Sequence, residues 1–390
     1  MTKASRPTSR PTPRRPTTAK SLKQSRQVAA LGVLGAVVLG GCGGGGEAAM
    51  PPSAASPSTP SRIVRSPAAT PGCQVTARLI PSCGAWWGIA PEISADRGPR
   101  AALARAERRM QRRADIVHLY HHGPELFPTA EEIALARDPV RPRLLFVNWK
   151  PSLRHTWADI AAGAIDRRID RLAAHLRRTF PERFFLTIHH EPESDVAARP
   201  GSGKTAEDYA AMYRHVVMRL RQAGVKSAVT VMTYMGTPTW AAKPWFERLY
   251  PGDDVVDWVA IDPYVDKRVR DFDGLINRKH TNLPNWPGFY RWMQWRFPGK
   301  PIMIAEWGVF ERHGSPALKE RFYSSVRAQI RHYPQLKALI YFDSRRAPRG
   351  DTRFDTTRRG GRAFSDLARD PYFALTSLPS PTPSPTRRLS

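Results

Sequence analysis

One short stretch near the middle of the chain, residues 184 to 193, reads FFLTIHHEPE. An apolar, β-prone run is followed at once by His189, His190, Glu191 and Glu193. Such a cluster at the tip of a buried strand can ligate a metal, form a structural group of ion pairs, or supply the acid and base of an active site. The choice among these depends on which other ionisable residues the fold brings to the same place.

A second carboxylate, Glu306, follows the apolar run 302–305 in the motif IAEWG. Two carboxyl groups about 5–5.5 Å apart are what a retaining glycosidase requires, because one protonates the leaving oxygen while the other attacks the anomeric carbon. One carboxyl must therefore be held protonated and the other ionised. Glu191 and Glu306 satisfy this requirement if the fold places both at one opening.

Eight apolar runs predict strands that alternate with amphipathic helical patterns. The runs lack strict period-two alternation, which is typical of parallel strands buried on both faces. Eight such units in about 290 residues match the size of a (β/α)8 barrel, although a doubly wound open sheet gives a similar pattern. The predicted strands are 85–89, 116–120, 144–148, 184–189, 229–234, 258–261, 302–305 and 338–342, and the predicted helices are 98–113, 160–179, 205–223, 287–296, 316–332 and 361–369.

Every predicted strand ends in aromatic or polar residues. A (β/α)8 barrel carries its active site at the carboxyl ends of its strands, so these residues are the candidates for the site. Adjacent residues of a strand point to opposite faces, so of two neighbouring candidates one packs in the core and the other faces the site. Besides the two carboxylates, the candidates are Trp87, Asn148, Trp149, His190, Tyr234, Asp262, Tyr264 and Trp307.

The motifs HHEPE, DPY and IAEWG together resemble glycoside hydrolase family 26, within the large clan of (β/α)8 retaining glycosidases. The resemblance spans roughly residues 84 to 345. Members of that family are mostly β-mannanases, with some β-1,3-xylanases and mixed-linkage glucanases, and no metal or organic cofactor is implied. The resemblance implies Glu191 as the general acid/base and Glu306 as the nucleophile. It implies that His190 positions Glu191 or a sugar hydroxyl, and it matches Asp262 and Tyr264 to a pair in which the tyrosine contacts the nucleophile and the sugar.

One position departs from the family pattern. Family mannanases usually carry a tryptophan at the end of the last strand as a platform for the sugar ring, whereas this chain has Phe342-Asp343. We expect Trp149, Trp307 or Trp87 to supply the platform instead. The family resemblance predicts the mannan-type β-1,4 linkage as the substrate class. The departure leaves open which aromatic residue supports the sugar ring.

Two other chemistries fit the residues less well. Metal catalysis would use histidines such as His189 and His190, but neighbouring strand residues point apart and no H-E-x-x-H motif occurs. The segment 201–205, GSGKT, resembles a phosphate-binding loop, but Ala198 stands where that motif requires glycine. A non-enzymatic alternative stays open, namely an inactive or weakly active wall-associated carbohydrate-binding lipoprotein.

The amino-terminal region predicts export. The apolar block 28–39 has 12 residues, whereas a membrane-spanning helix needs about 20. Basic residues precede it and Gly40-Gly41-Cys42 follows, which is a signal-peptide pattern resembling a bacterial lipobox with Cys42 as the lipidated residue. We predict a signal peptide over 1–41, a flexible Gly/Pro/Ser tether over 42–72, a glycosidase-like barrel over 73–375 and a disordered tail over 376–390.

The formal net charge is +27, and the chain beyond residue 72 still has 51 basic and 33 acidic residues. The arginines are scattered along helical patterns and the chain is predicted to be exported, so we expect no nucleic-acid partner. The partners that we do expect are a polysaccharide substrate and, through the lipid anchor, the membrane. We expect the protein to be a monomer at the cell surface. In an exported protein Cys73 and Cys83 can close a short disulfide loop.

Overall fold

The computed structural model describes residues 72–93, 98–266, 268–310, 317–347 and 349–375. The predicted signal peptide, Cys42, nearly all of the predicted tether and the carboxyl-terminal tail lie outside the described residues. Within the described part of the chain, no helix combines the length and the apolar character needed to cross a membrane.

Eight parallel strands form a closed barrel, which confirms the predicted (β/α)8 fold. The sheet runs in the order β6-β5-β4-β3-β2-β1-β9-β8, and pairing of β6 with β8 closes it. The short β7 continues from β6 and pairs with the end of β8. The strands are β1 (Trp86–Ala90), β2 (Ile116–His122), β3 (Leu144–Lys150), β4 (Phe184–Ile188), β5 (Ala228–Tyr234), β6 (Trp258–Ile261), β7 (Tyr264–Val265), β8 (Ile302–Val309) and β9 (Leu336–Phe342).

Helices follow the strands and cover the outside of the barrel. The predicted helix 160–179 is two helices, because Gly163 adopts φ 94 between them, a conformation that favours glycine. Three further short helices were not predicted. The helices are α1 (Pro99–Met110), α2 (Ala130–Ala136), α3 (Trp157–Ala161), α4 (Asp166–Thr179), α5 (Ala206–Gln222), α6 (Pro238–Ala241), α7 (Phe272–Ile276), α8 (Phe289–Arg296), α9 (Leu318–Gln329) and α10 (Arg358–Ala368).

The apolar core has two layers, one inside the barrel and one between the strands and the helices. Alternate strand residues enter the two layers, as the pleat of a strand requires. In β1, for example, Trp86 lies in the inner layer and Trp87 in the outer one. This division decides which strand-end residues can reach the mouth of the barrel.

The amino-terminal end of the barrel is closed by a loop, residues 73–83, which we call the bottom plug. A disulfide between Cys73 and Cys83 closes the loop, with an S–S distance of 2.05 Å. Trp86 and Trp258, the first residues of β1 and β6, donate their indole N–H groups to the backbone carbonyls of the plug at 2.8 and 2.7 Å. The plug therefore seals the end of the barrel opposite the strand tips that carry the candidate site.

Candidate active site

The segment after β4 makes a sharp double turn. His189 and Glu191 adopt φ 53 and φ 51, in the left-handed region that residues other than glycine seldom occupy. The two histidines consequently diverge. His189 points outward and its Nε2 lies 2.9 Å from Asp195 Oδ2, whereas His190 Nε2 lies 3.9 Å from Glu306 Oε1 in the mouth. Non-glycine residues held in such conformations cluster at functional sites.

Glu306, in the second half of β8, is held by two tyrosines. The hydroxyl of Tyr120 donates to Glu306 Oε1 at 2.7 Å, and the hydroxyl of Tyr264 donates to Oε2 at 2.6 Å. Burial raises the pKa of Glu306, and the hydrogen bonds from Tyr264 and Tyr120 oppose that rise. Both bonds favour the ionised carboxylate, because they are donated to its negative oxygens.

Glu191 has a contrasting environment. Glu191 lies at the barrel mouth, and no described residue donates a hydrogen bond to its carboxyl group. Burial, followed by the negative charges of Glu306 and Glu193, raises the pKa of Glu191 well above its usual range, while Lys150 and Arg349 act in the opposite direction. The two carboxyl groups therefore interact electrostatically, and their surroundings favour a protonated Glu191 beside an ionised Glu306.

Two further polar residues are buried in the mouth without partners. Asn148 and Asp262 are each 2% exposed, and neither side chain has a hydrogen-bond partner among the described residues. Burial and the neighbouring carboxylates, Glu306 first among them, raise the pKa of Asp262 well above its usual range. Buried polar atoms nearly always have a partner, so these groups mark a place where water or the hydroxyl groups of a ligand bind.

The mouth also contains a possible metal-ligand set. His190, Asp262 and Glu306 each offer one ligand atom, and these atoms lie within 4.8 Å of one another. Imidazole nitrogen and carboxylate oxygen suit a divalent cation. Both oxygens of Glu306, however, already accept tyrosine hydrogen bonds, which stabilise its charge without a metal. His121, near the end of β2, lies outside this set and is bonded to Glu132 at 2.9 Å.

Four of the predicted sugar contacts do not reach the mouth. Each is at most 1% exposed and belongs to the outer core layer, because the residue beside it in the strand takes the inward position. Trp307, for example, packs edge-on against Tyr341 at 4.7 Å between ring centroids. The structure corrects these expectations for Trp87, Trp149, Trp307 and Tyr234.

The aromatic surface beside the nucleophile candidate is Phe342 itself. This half-buried residue ends β9, and its ring lies edge-on to Tyr120 at 6.3 Å and to Tyr264 at 6.1 Å. Trp87, Trp149 and Trp307 all lie in the outer core layer, so the expectation that one of them replaces the family platform is wrong. Phe342 and Tyr120 are residues that the sequence interpretation did not select. Phe342 lies two residues after Ile340 of the inner layer, and Tyr120 lies two residues after His118, which stacks on Phe146 of that layer.

Comparison with known proteins gives limited sequence similarity, and no family model matches the chain. The chain is 26% identical over 274 residues to endoglucanase H of Acetivibrio thermocellus, a match covering 66% of this chain and 27% of that protein. It is 26% identical over 149 residues to the β-1,3-xylanase TXYA of a Vibrio species, covering 38% of this chain and 28% of that protein. The chain thus spans about a quarter of the length of these relatives.

Solved structures share the fold. A GH26 β-mannanase from Bacteroides ovatus superposes with a TM-score of 0.51 at 15% identity, covering 76% of this chain and 91% of that one. A ruminal GH26 endo-β-1,4-mannanase gives 0.53 at 12% identity, covering 81% and 72%.

The fold and the strand-end carboxylates define the class of this molecule as a (β/α)8 barrel with an acidic, aromatic mouth. The barrel resembles those of glycoside hydrolase family 26, and the predicted resemblance is confirmed.

Proposed function

We propose that this chain is a β-glycoside hydrolase of family 26 that acts with retention on a polysaccharide, with the mannan-type β-1,4 linkage as its substrate. The observation that carries the proposal is that two neighbouring carboxyl groups have different hydrogen-bonding and electrostatic environments. Glu306 accepts two tyrosine hydrogen bonds, whereas Glu191 accepts none from the described residues and has a strongly raised pKa. Pairs of carboxyls whose environments push their pKa values apart are assigned as acid and base in this way.

In the proposed reaction, Glu306 attacks the anomeric carbon and the bond to the leaving oxygen breaks. Glu191 transfers its proton to that oxygen, so that the leaving sugar departs as a neutral alcohol. The ionised Glu191 then removes a proton from a water molecule, which attacks the anomeric carbon and releases Glu306. Two inversions at one carbon give net retention.

The remaining residues of the mouth position the sugar and the nucleophile. Burial lowers the pKa of His190 to about 3, so its imidazole is neutral beside Glu306. Tyr264 and Tyr120 fix both oxygens of the nucleophile. The unpartnered groups of Asn148 and Asp262 bind sugar hydroxyls, and Phe342 offers an apolar face to the ring.

The test of the proposed function is release of reducing sugar from β-mannan, glucomannan, β-1,3-xylan, mixed-linkage glucan and peptidoglycan. The mannan-type linkage rests on the solved mannanases that share the fold, so release from mannan or glucomannan is the expected result. Release from another polymer alone would show that the substrate is not mannan but would still support the assignment as a glycoside hydrolase. No release by a folded protein that still binds a glycan would favour the carbohydrate-binding alternative.

Replacing Tyr264 by phenylalanine is expected to lower kcat/KM about 10- to 100-fold, because a hydrogen bond to a charged group is lost. That bond lowers the pKa of Glu306, so its removal raises this pKa. The nucleophile must be ionised, and the acid limb of the kcat/KM profile therefore moves to higher pH. Tyr323→Phe, which alters a buried tyrosine pair in the outer layer, is the control and should leave the acid limb unchanged.

Export and anchoring belong to the same proposal. We infer from the sequence pattern that Cys42 is lipidated and that the barrel acts as a monomer at the cell surface, joined to the membrane by the tether. Incorporation of labelled fatty acid into the full chain but not into its Cys42→Ala variant tests the anchor. Equal incorporation into both proteins would refute it.

A further inference from the structure

A second buried carboxyl group follows Glu191 after one residue, and the reaction above does not use it. Glu193 lies in the single helical turn Pro192–Ser194 and is 1% exposed. Its Oε1 accepts the backbone N–H of Met235 at 2.9 Å, and its Oε2 is buried without a hydrogen-bond partner. No lysine or arginine of the described chain forms an ion pair with it, contrary to the simplest expectation for a buried glutamate.

Besides the bond between Glu193 and Met235, a second hydrogen bond joins this turn to the end of β5. The backbone N–H of Glu191 donates to the carbonyl oxygen of Thr233 at 3.1 Å, while the N–H of Met235 donates back to Glu193. The two hydrogen bonds run in opposite directions between the same two segments. They form a two-point connection, which we call the β4–β5 clamp, defined by Glu191, Glu193, Thr233 and Met235.

The clamp acts on a backbone that needs support. Glu191 has φ 51, and a residue other than glycine in the left-handed region costs about 1–3 kcal/mol unless its surroundings hold it there. The backbone hydrogen bond of Glu191 does not depend on side-chain identity. The bond to Met235 does, because only a side chain with an acceptor oxygen at position 193 can form it.

We propose that Glu193 is a positioning residue, which holds Glu191 in the direction needed to protonate the leaving oxygen by clamping its turn to the end of β5. The inference rests on the proposed function, since it assigns Glu193 a role through the general acid. A proton donor must lie within hydrogen-bond reach of its target, and an error of about 1 Å can cost 10²-fold in rate. Burial raises the pKa of Glu193 to about 7, and in its ionised form this carboxyl also raises the pKa of Glu191.

A purely structural role for Glu193 predicts something different from a positioning role. Loss of structure lowers the rates of all substrates together. Loss of the general acid's position lowers the rate only where the leaving group needs a proton. A 2,4-dinitrophenyl group leaves without protonation, whereas a phenyl group requires it, so the ratio of their kcat/KM values reports on the acid alone.

The experiment measures kcat/KM of Glu193→Ala with phenyl and 2,4-dinitrophenyl β-mannobiosides, or the aryl glycosides of whichever disaccharide the polymer panel releases. We expect a loss of about 10- to 100-fold for the phenyl substrate and less than about threefold for the dinitrophenyl substrate. Glu193→Gln keeps an acceptor oxygen for Met235, so it is expected to recover most of the phenyl activity. If Glu193→Ala does not fold, Glu193→Asp, which shortens the reach to Met235, is expected to give an intermediate loss that is again confined to the phenyl substrate.

Asp343→Ala is the matched control. Asp343 is also a buried carboxyl, 5% exposed, that accepts a backbone N–H, that of Phe354 at 3.2 Å, but it does not belong to the clamp. It should change both substrates by the same factor. Equal losses for both substrates in Glu193→Ala, full activity of that variant, or an equally selective loss in Glu193→Gln would each overturn the positioning role. Failure of the proposed function is distinct, because the unaltered protein would then turn over neither aryl glycoside, or Glu306→Ala would keep the activity of the unaltered protein.

Discussion

Replacing Glu306 by alanine is expected to reduce polysaccharide hydrolysis by about 10⁴-fold or more, as removal of a covalent nucleophile does elsewhere. The side chain is the acceptor of two tyrosine hydrogen bonds and has no equivalent neighbour in the same position. Asp262 is buried nearby, but it accepts neither tyrosine hydroxyl. The measurement is release of reducing sugar by the purified variant at saturating substrate.

The control for this loss is a variant in which an equally buried carboxylate is removed outside the mouth. Glu132 is 5% exposed and bonds His121 and its own helix start, so Glu132→Ala lowers stability without touching the proposed reaction. Thermal unfolding of both variants separates misfolding from lost chemistry. Turnover of Glu306→Ala comparable with that of the unaltered protein, with folding intact, would remove the basis of the proposed mechanism.

Replacing Glu191 by alanine is expected to have the second-largest effect, a loss of about 10²- to 10⁴-fold on polysaccharide. The loss in kcat/KM should nearly vanish with a 2,4-dinitrophenyl glycoside, because that leaving group needs no proton. Turnover of this substrate should still be slow, because Glu191 also activates the water that releases the glycosyl enzyme. The glycosyl enzyme should then accumulate on Glu306, where intact-protein mass spectrometry detects it.

Added azide provides an independent readout for Glu191→Ala. A small anion can enter the space left by the carboxylate and attack the anomeric carbon without a general base. We expect faster turnover and a β-glycosyl azide product, with the configuration retained. An α-glycosyl azide would indicate direct displacement with inversion, and absence of any azide product would contradict the assignment of Glu191 as the base.

The barrel could be predicted from the sequence because its strands are unusually uniform. Parallel strands covered on both faces appear as apolar runs, and all eight predicted runs form barrel strands. The two carboxylates were also recognisable, since each lies within two residues of the end of such a run. Strand ends in a barrel meet at one face, so chain positions as distant as 191 and 306 converge without any local signal.

The inward or outward direction of each side chain could not be predicted from the same runs. A strand buried on both faces has apolar residues on both, so nothing in the sequence fixes the phase of its alternation. Trp149 and Asn148 are adjacent and equally buried, yet only Asn148 faces the mouth. In β8 the register shifts between Ile304 and Trp307, which an alternation rule cannot anticipate.

The turn after β4 is a second case. The left-handed conformation of Glu191 is held by tertiary hydrogen bonds, such as the one from its N–H to Thr233, and glutamate is not a residue type that favours this conformation. The short helix α2, by contrast, had a usable signal. Thr129 and Glu132 form a capping box, and the T-x-x-E pattern of that motif is visible in the sequence.

The bottom plug determines where an expressed fragment of this protein can begin. A fragment that starts at Ala85, immediately before the first strand, would leave the indole N–H groups of Trp86 and Trp258 without their acceptors in a dry interior. Each buried donor left unsatisfied costs about 1–3 kcal/mol, and loss of Leu79 would open the lower core to water. The minimal autonomous unit therefore begins before Cys73, and engineered truncations or domain fusions should join the chain there.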